Sequence, residues 1–214
     1  MKTDISELWK KICQDDDTKA FERLYYTLFS KLLKFCMYYT HQQEPAEDIV
    51  SELFVTCWNN RKSLAHITYP ETYLFIATKN QALKYRKKYS TIHLVEIEPD
   101  QHQLIDIADP SQKLERKELH HRLDQAIETL PLQARMVFRL IKENGLKYKE
   151  VAEILEISPR TVQTQLFRAI AKLRVLLKGY HQSASRSNAQ QCVTAGFMLI
   201  NVLHYFFVTC RHFC

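Results

Sequence analysis

The stretch YKEVAEILEISPRTVQTQLFRAIAKLR, residues Tyr148–Arg174, decides how the chain is read. Val151, Ala152, Ile154 and Leu155 give its first half an apolar helical face, and a short break follows at Glu156–Ile157. Ser158-Pro159 then starts a second helix. Ser is a favoured N-cap, and Pro is tolerated at the first helical position because its missing N–H had no partner there. Val162, Leu166, Ala169 and Leu173 recur at i, i+4, i+7 and i+11, one buried stripe. The opposite face carries Arg160, Thr161, Gln163, Thr164, Gln165 and Arg168, side chains that donate to phosphates and read base edges. Two short helices joined by a tight turn, the second polar and basic outside, describe a helix-turn-helix with its recognition helix second. The competing reading is a helical hairpin with a solvated face. Such a face mixes signs, whereas no Asp or Glu occurs from Ser158 onward. The turn lacks the Gly that many such units carry.

With 214 residues, 46% of them hydrophobic, the chain suits one domain or two small ones with real cores. Only 3 residues are Gly and the strong periodicities are helical, so the expected class is all-α. The net charge of +6 favours a polyanionic partner, and its distribution says more: basic at Lys84–Lys88 and beyond Ser158, acidic in between. Six cysteines form no CxxC pair and no zinc spacing; Cys13, Cys36 and Cys57 lie in helical patterns and are read as buried thiols, which fits a reducing cytoplasm. The sequence shows no signal peptide, Gly-rich phosphate loop, nucleophile elbow or metal cluster. No catalysis, cofactor or metal is expected.

Upstream, Ile5, Leu8, Trp9 and Ile12 mark a short amphipathic helix after a Thr3/Asp4 cap. The acidic run Asp15–Asp17 caps a longer one, with Phe21, Leu24, Tyr25, Leu28, Leu32 and Phe35 on one face. Pro45 is expected to begin a third helix, in which Ile49, Leu53 and Cys57 form one stripe and Val50, Phe54 and Trp58 lie beside it. Asp48 and Glu52 share its polar edge. As paired carboxylates they would invite an acid–base reading, but no His or second acidic pair accompanies them, and the enzyme reading fails. Pro70 opens a fourth helix, PETYLFIATKNQALKYRKKY, in which Leu74, Ala77 or Thr78, Gln81 and Tyr85 trace one expected line and Tyr73, Ile76 and Asn80 the next. Its end mixes Lys84, Arg86, Lys87 and Lys88 with Tyr85 and Tyr89. That mixture suits single-stranded nucleic acid, cations tracking the backbone while rings stack on bases. It equally suits a helix C-terminus whose cations complement the dipole.

Helical periodicity then disappears over Thr91–Asp109, an acidic stretch read as an interdomain linker. Leu119, Leu123, Ala126, Ile127 and Leu130 line the next helix. Pro131 starts another, with Met136, Val137, Phe138 and Ile141 inward and Asn144-Gly145 at its end. The expected organisation is a helical domain over residues 1–90, a linker over 91–109, and a helix-turn-helix domain over 110–180. A polar spacer and apolar tail follow over 181–214.

Both helical modules carry strings that, in this order, resemble the bacterial extracytoplasmic-function sigma factors, the short two-domain class of the main sigma family. AEDIVSELFVTCW looks like the family's helix that binds the clamp of core RNA polymerase, although Ser51 stands where Gln is usual. The resemblance implies a polymerase-binding role for Asp48, Ile49, Glu52, Phe54 and Trp58. YLFIATKNQALKYRK looks like the promoter-melting segment, implying contacts to the downstream (−10) element from Tyr73, Asn80, Lys84, Tyr85, Arg86, Lys87 and Lys88. LPLQARMVF, EVAEIL and TVQTQLFRAIAKLR resemble the unit that reads the upstream (−35) element, with Pro159, Arg160, Thr161, Gln163, Thr164 and Arg168 facing DNA. The implied function is promoter-specific initiation with core RNA polymerase, under possible control by an anti-sigma protein. The rivals are a free-standing helix-turn-helix regulator that acts without polymerase, and a membrane-tethered adaptor.

The resemblance stops short of CVTAGFMLINVLHYFFVTC, residues 192–210. This run nearly meets the roughly 20-residue length of a membrane span, though Asn201 and His204 interrupt it. An anchor, a partner-binding helix and an incidental extension all remain open. Deleting the residues after Gln182 and fractionating cells separates them: an anchor shifts the protein from membrane to soluble fractions, and an unchanged soluble distribution rules it out.

Overall fold

A computed structural model of the chain describes residues 4–89 and 122–184, with side chains to residue 176. The expected linker (residues 91–109) and the apolar run (residues 192–210) lie outside the described residues. Within them all regular structure is helical, as the composition implied. The order is α1 (Ile5–Asp15), α2 (Thr18–Thr40), α3 (Gln43–Asn59), a 3-10 turn at Ser63–His66 and α4 (Pro70–Tyr89). Then come α5 (residues 122–128), α6 (Leu132–Phe138) running into a π turn at Arg139–Glu143, α7 (Tyr148–Leu155) and α8 (Pro159–Ala184). Packing groups these into two units. One joins the N-terminal helices with Met136–Thr164; the other takes Ile107–Arg135 and Gln165–Cys214.

Short polar side chains set the helix starts. Asp4 accepts from the amides of Ser6 and Glu7 at 3.0 and 3.3 Å, and Asp17 from those of Lys19 and Ala20 at 2.9 and 3.0 Å. Each satisfies donors that the first turn leaves orphaned. The helix ends use left-handed residues, at Asp16, His41 and Glu156, with φ of 55°, 56° and 55°. Helix α3 begins at Gln43, two residues ahead of the expected Pro45. The proline therefore sits inside the first turn, where its lacking N–H is still harmless.

In the first unit α2 is central and packs against α1, α3 and α4. Its Leu24, Leu28, Leu32 and Cys36 recur every fourth residue and are almost wholly buried. Each buried leucine contributes roughly 1.5–3 kcal/mol relative to exposure. From the neighbours come Trp9 and Ile12, then Val50, Leu53 and Phe54, then Leu74, Phe75 and Ala82. Trp9 also donates its indole N–H to the Leu64 carbonyl at 3.2 Å, pinning the 3-10 turn. Of the two expected lines of α4, the first does supply Leu74 and Thr78 to the core, while the second stays largely outside it. Thr72, Phe75, Lys79 and Ala82 face inward, while Tyr73 and Ile76 are half-buried and Asn80 is exposed. Helix α4 packs against α2, α3 and α7, and contact on several sides blurs any single stripe.

The helix after Pro131 also differs in detail. A π turn inserts at Arg139–Glu143, so Leu140 is fully buried and the expected Ile141 only half-buried. Gly145, at φ 75°, ends the segment as its sequence implied. Helix α7 starts at Lys147, whose amide donates to the Glu150 carboxylate at 2.6 Å. In the second unit Ala126, Ile127, Leu130, Leu166, Ala169 and Leu173 are buried. Lys172 donates to the Thr129 carbonyl at 2.7 Å and Gln165 to the Gln133 side chain at 3.1 Å.

Cys13, Cys36 and Cys57 are free, buried thiols. Burial pushes the Cys36 and Cys57 thiols up to about 12, and raises Cys13 against the opposing pull of Arg61 and Lys62.

Asp16 ties the α1–α2 corner to the turn after α3, with carboxylate oxygens 2.7 Å from Lys62 Nζ and 2.5 Å from Arg61 Nε. Hydrogen bonds from Lys62 and then Arg61 hold its carboxyl below the usual range. A carboxyl depressed in the folded state stabilises above its unfolded value, and loses that contribution as pH falls through the folded one. Asp16→Asn keeps a residue that tolerates the left-handed backbone. Its melting temperature should lie below wild type at neutral pH, and the gap should close as pH falls below the carboxylate range. A gap unchanged in acid would show that charge is not the cause.

Candidate polymerase and promoter surfaces

Three faces carry the residues that the sequence singled out. The first is the outer side of α3. Asp48 and Glu52 are exposed and Trp58 is half-buried, but Ile49 and Phe54 are core residues, Phe54 only 2% accessible. The apolar arc of α3 turns both largely inward, so what they offer a partner is the shape of the face and not an exposed side chain. They shape the face from below. Phe54 lies 4.9 Å from the Tyr25 ring and 6.1 Å from Phe21, and Phe21 lies 4.9 Å from Trp58. Phe21, Tyr25, Ser51, Phe54, Val55 and Trp58 together line a shallow depression. Val55 and Tyr26 are the exposed apolar groups around it. Arg61 covers Trp58, its guanidinium 4.4 Å from the ring centroid, and donates to the Trp58 carbonyl at 2.7 Å. The i, i+3 spacing from Trp58 to Arg61 was the available signal for that pairing. The contribution of Phe21 and Tyr25 came from packing between helices, which spacing along one helix does not show.

The second face is the end of α4. Asn80, Lys84, Arg86, Lys87 and Lys88 are exposed and Tyr85 is half-buried. The Tyr85 and Tyr89 rings lie 4.5 Å apart at 36°, and Lys88 Nζ sits 5.4 Å over Tyr89. The aromatic component thus exists as a close, tilted pair with a cation on one ring. Burial raises the Tyr85 hydroxyl, and Tyr89, Glu44 and Asp48 add to the shift. The acids that open α3 therefore border this basic end. Tyr73 belongs elsewhere, tilted against Trp9 at 6.3 Å.

The third face is the start of α8. Ser158 caps it, its hydroxyl accepting from the Thr161 amide at 3.0 Å. Pro159, Arg160, Thr164 and Arg168 are exposed, and Thr161 and Gln163 are partly so. The Thr164 hydroxyl donates to the Arg160 carbonyl at 2.9 Å. No acid occupies the first turn, so the positive end of the helix dipole is left for an anion. Phe167, 56% exposed between these polar groups, escaped the sequence reading because it lies outside the buried stripe. Lys79 escaped it too: it lies beside Asn80 but is buried, with Nζ 2.8 Å from the Glu156 carboxylate.

Residues 24–91 match the model of Sigma-70 region 2, and residues 120–173 that of Sigma-70, region 4. Together they span more than half the chain. The chain is 26% identical over 164 residues to the RNA polymerase sigma-H factor of Pseudomonas aeruginosa, covering 73% of this chain and 85% of that one. It is 27% identical, with the same coverage, to the ECF RNA polymerase sigma-E factor of Escherichia coli K12. Among solved structures, its fold is similar to the sigma factor RpoE of Bartonella quintana, solved with the anti-sigma factor NepR. There the TM-score is 0.54, with 22% identity over 75% of this chain and 98% of that one. It is also similar to CnrH solved with the cytosolic domain of CnrY, at a TM-score of 0.51 and 20% identity over 82% and 99%. Most of α2 and all of α3 and α4 fall within the first match, and nearly all of the helix-turn-helix within the second. The chain belongs to the sigma-70 family, in its extracytoplasmic-function class, whose members are not enzymes but direct transcription initiation.

Proposed function

We propose that this sigma factor divides its work among the three faces. Core RNA polymerase is held by the outer side of α3, through Asp48, Glu52 and Trp58 at the surface, with Ile49 and Phe54 setting the shape beneath. The end of α4 takes the downstream promoter element as it opens. Asn80 and the Tyr85–Tyr89 pair meet unstacked bases, while Lys84, Arg86, Lys87 and Lys88 track the strand. Unstacking a base costs on the order of a few kcal/mol, which new stacking and hydrogen bonds offset. The start of α8 enters the duplex major groove at the upstream element, with Arg160, Thr161, Gln163, Thr164 and Arg168 toward DNA and Pro159 fixing the first turn. The observation that carries this reading is an exposed, acid-free recognition helix joined in one chain to a sigma region 2 match. A free-standing regulator has no use for the second of these.

The same reading assigns domain limits of residues 1–90 and 110–180, an acidic linker between, and work in the cytoplasm beside the polymerase. A sigma factor of similar fold was solved with an anti-sigma factor, and CnrH, also similar in fold, with the cytosolic domain of CnrY. A protein partner of that kind suits the exposed Phe167 and Val175 of α8. No described helix is long and apolar enough to cross a membrane.

Purified core polymerase alone should stay silent on genomic promoter fragments, and adding this protein should give initiation at defined start points. Initiation that ignores the added protein rejects the sigma role. Arg168→Ala should weaken duplex binding and reduce the slope of log affinity against log salt by about one unit. An unchanged slope removes Arg168 from the phosphate contacts.

A further inference from the structure

The ion pair between Lys79 and Glu156 is lopsided. The Lys79 side chain is 6% exposed and that of Glu156 76% exposed. An ammonium sealed from water depends on its counter-charge, whereas a wet carboxylate loses little when it lets go. Glu156 also holds the left-handed backbone position between α7 and α8, at φ 55°, which a glycine would occupy without strain. A glycine there would bring no carboxylate to Lys79. The sole acid on α4, Glu71, lies at its other end and pairs with Lys31. Lys79 is held this way because α7 packs on α4 within the first unit.

Lys79 is adjacent to Asn80, and Arg86 lies seven residues on, on the same helical face. Tyr39 of α2 marks the neighbourhood: burial raises its hydroxyl, Arg86 opposes the shift and Glu156 adds to it. The anion of the helix-turn-helix turn thus sits in the field of both cations.

We propose that the Glu156 carboxylate is an internal stand-in for a nucleic-acid phosphate on Lys79. While α7 packs on α4, Lys79 is withheld. When α7 with the start of α8 leaves, the buried cation loses its partner and a phosphate of the opened promoter strand replaces the carboxylate. Lys79 then joins Arg86 in one basic row flanked by Asn80. This rests on the promoter reading of α4, and the experiment separates the two.

Two measurements on the full chain test it. The first is the separation between labels at the exposed positions Lys34 on α2 and Glu153 on α7, with no DNA present. Glu156→Lys should lengthen it, and the charge swap Lys79→Glu with Glu156→Lys should restore it. An unchanged distance in Glu156→Lys overturns the proposal. The second is binding of a short fluorescent mixed-sequence single-stranded oligodeoxynucleotide. Glu156→Gln should bind several-fold more tightly than wild type, with a salt slope steeper by about 0.7. Lys79→Met, which keeps the apolar stem, should abolish that gain in the Glu156→Gln background. A gain that survives Lys79→Met, or labels that separate without a change in slope, overturns the phosphate exchange while α4 remains a promoter face. An oligonucleotide bound by none of these proteins overturns the promoter reading of α4 and this proposal with it.

Discussion

The first unit depends on the burial of one line of side chains along α2. Leu24, Leu28, Leu32 and Cys36 are covered by three other helices, so a single element organises α1, α3 and α4. Each neighbour spends one side on that contact and keeps another for something else. Helix α3 keeps its acidic edge with Ser51 and Val55, and α4 keeps its basic end. Because the shared core fixes where these helices lie, both outer faces are presented at defined places on a rigid support. Close packing of this kind tolerates little change in volume, so the positions of the two faces are coupled through residues that touch neither partner.

Sign of charge separates the faces as clearly as shape does. The α3 edge presents Asp48 and Glu52, the α4 end presents a run of cations, and the start of α8 presents Arg160 and Arg168 without an acid. At physiological salt such fields act over about 8 Å. They distinguish local surfaces rather than charging the whole molecule. A net charge of +6 would have been a weak pointer to DNA; the segregation of that charge onto two helix segments is a stronger one.

Much of this was legible before any coordinates. Helices with strong single stripes read correctly: the leucines of α2, and Val162, Leu166, Ala169 and Leu173 of α8, are buried as their spacing required. The caps at Asp4, Asp17 and Ser158 also followed from local chemistry. What failed was the reading of helices buried on several sides. In α3 an apolar arc wide enough to be sandwiched left no periodic sign of which residues stay outside, so the inward packing of Ile49 and Phe54 was not legible. In α4 the inward line ran through Thr72 and Lys79, residues no hydrophobic pattern selects. Lys79 is buried because Glu156, 77 positions away, neutralises it, and a contact at that range has no local signature. The π turn at Arg139–Glu143 likewise displaced the inward register by one residue, from Ile141 to Leu140.

The three thiols of the first unit carry a consequence for how signals reach this protein. Burial pushes Cys36 and Cys57 up to about 12, which keeps both as neutral thiols at neutral pH. Peroxides and disulfides react with the thiolate, and here they meet neither the anion nor an open path to sulfur. Oxidants therefore find poor targets in the helical body that would grip polymerase. Redox stress, where it governs this factor, has to be sensed by another molecule or another segment and delivered as a change in who occupies its surfaces.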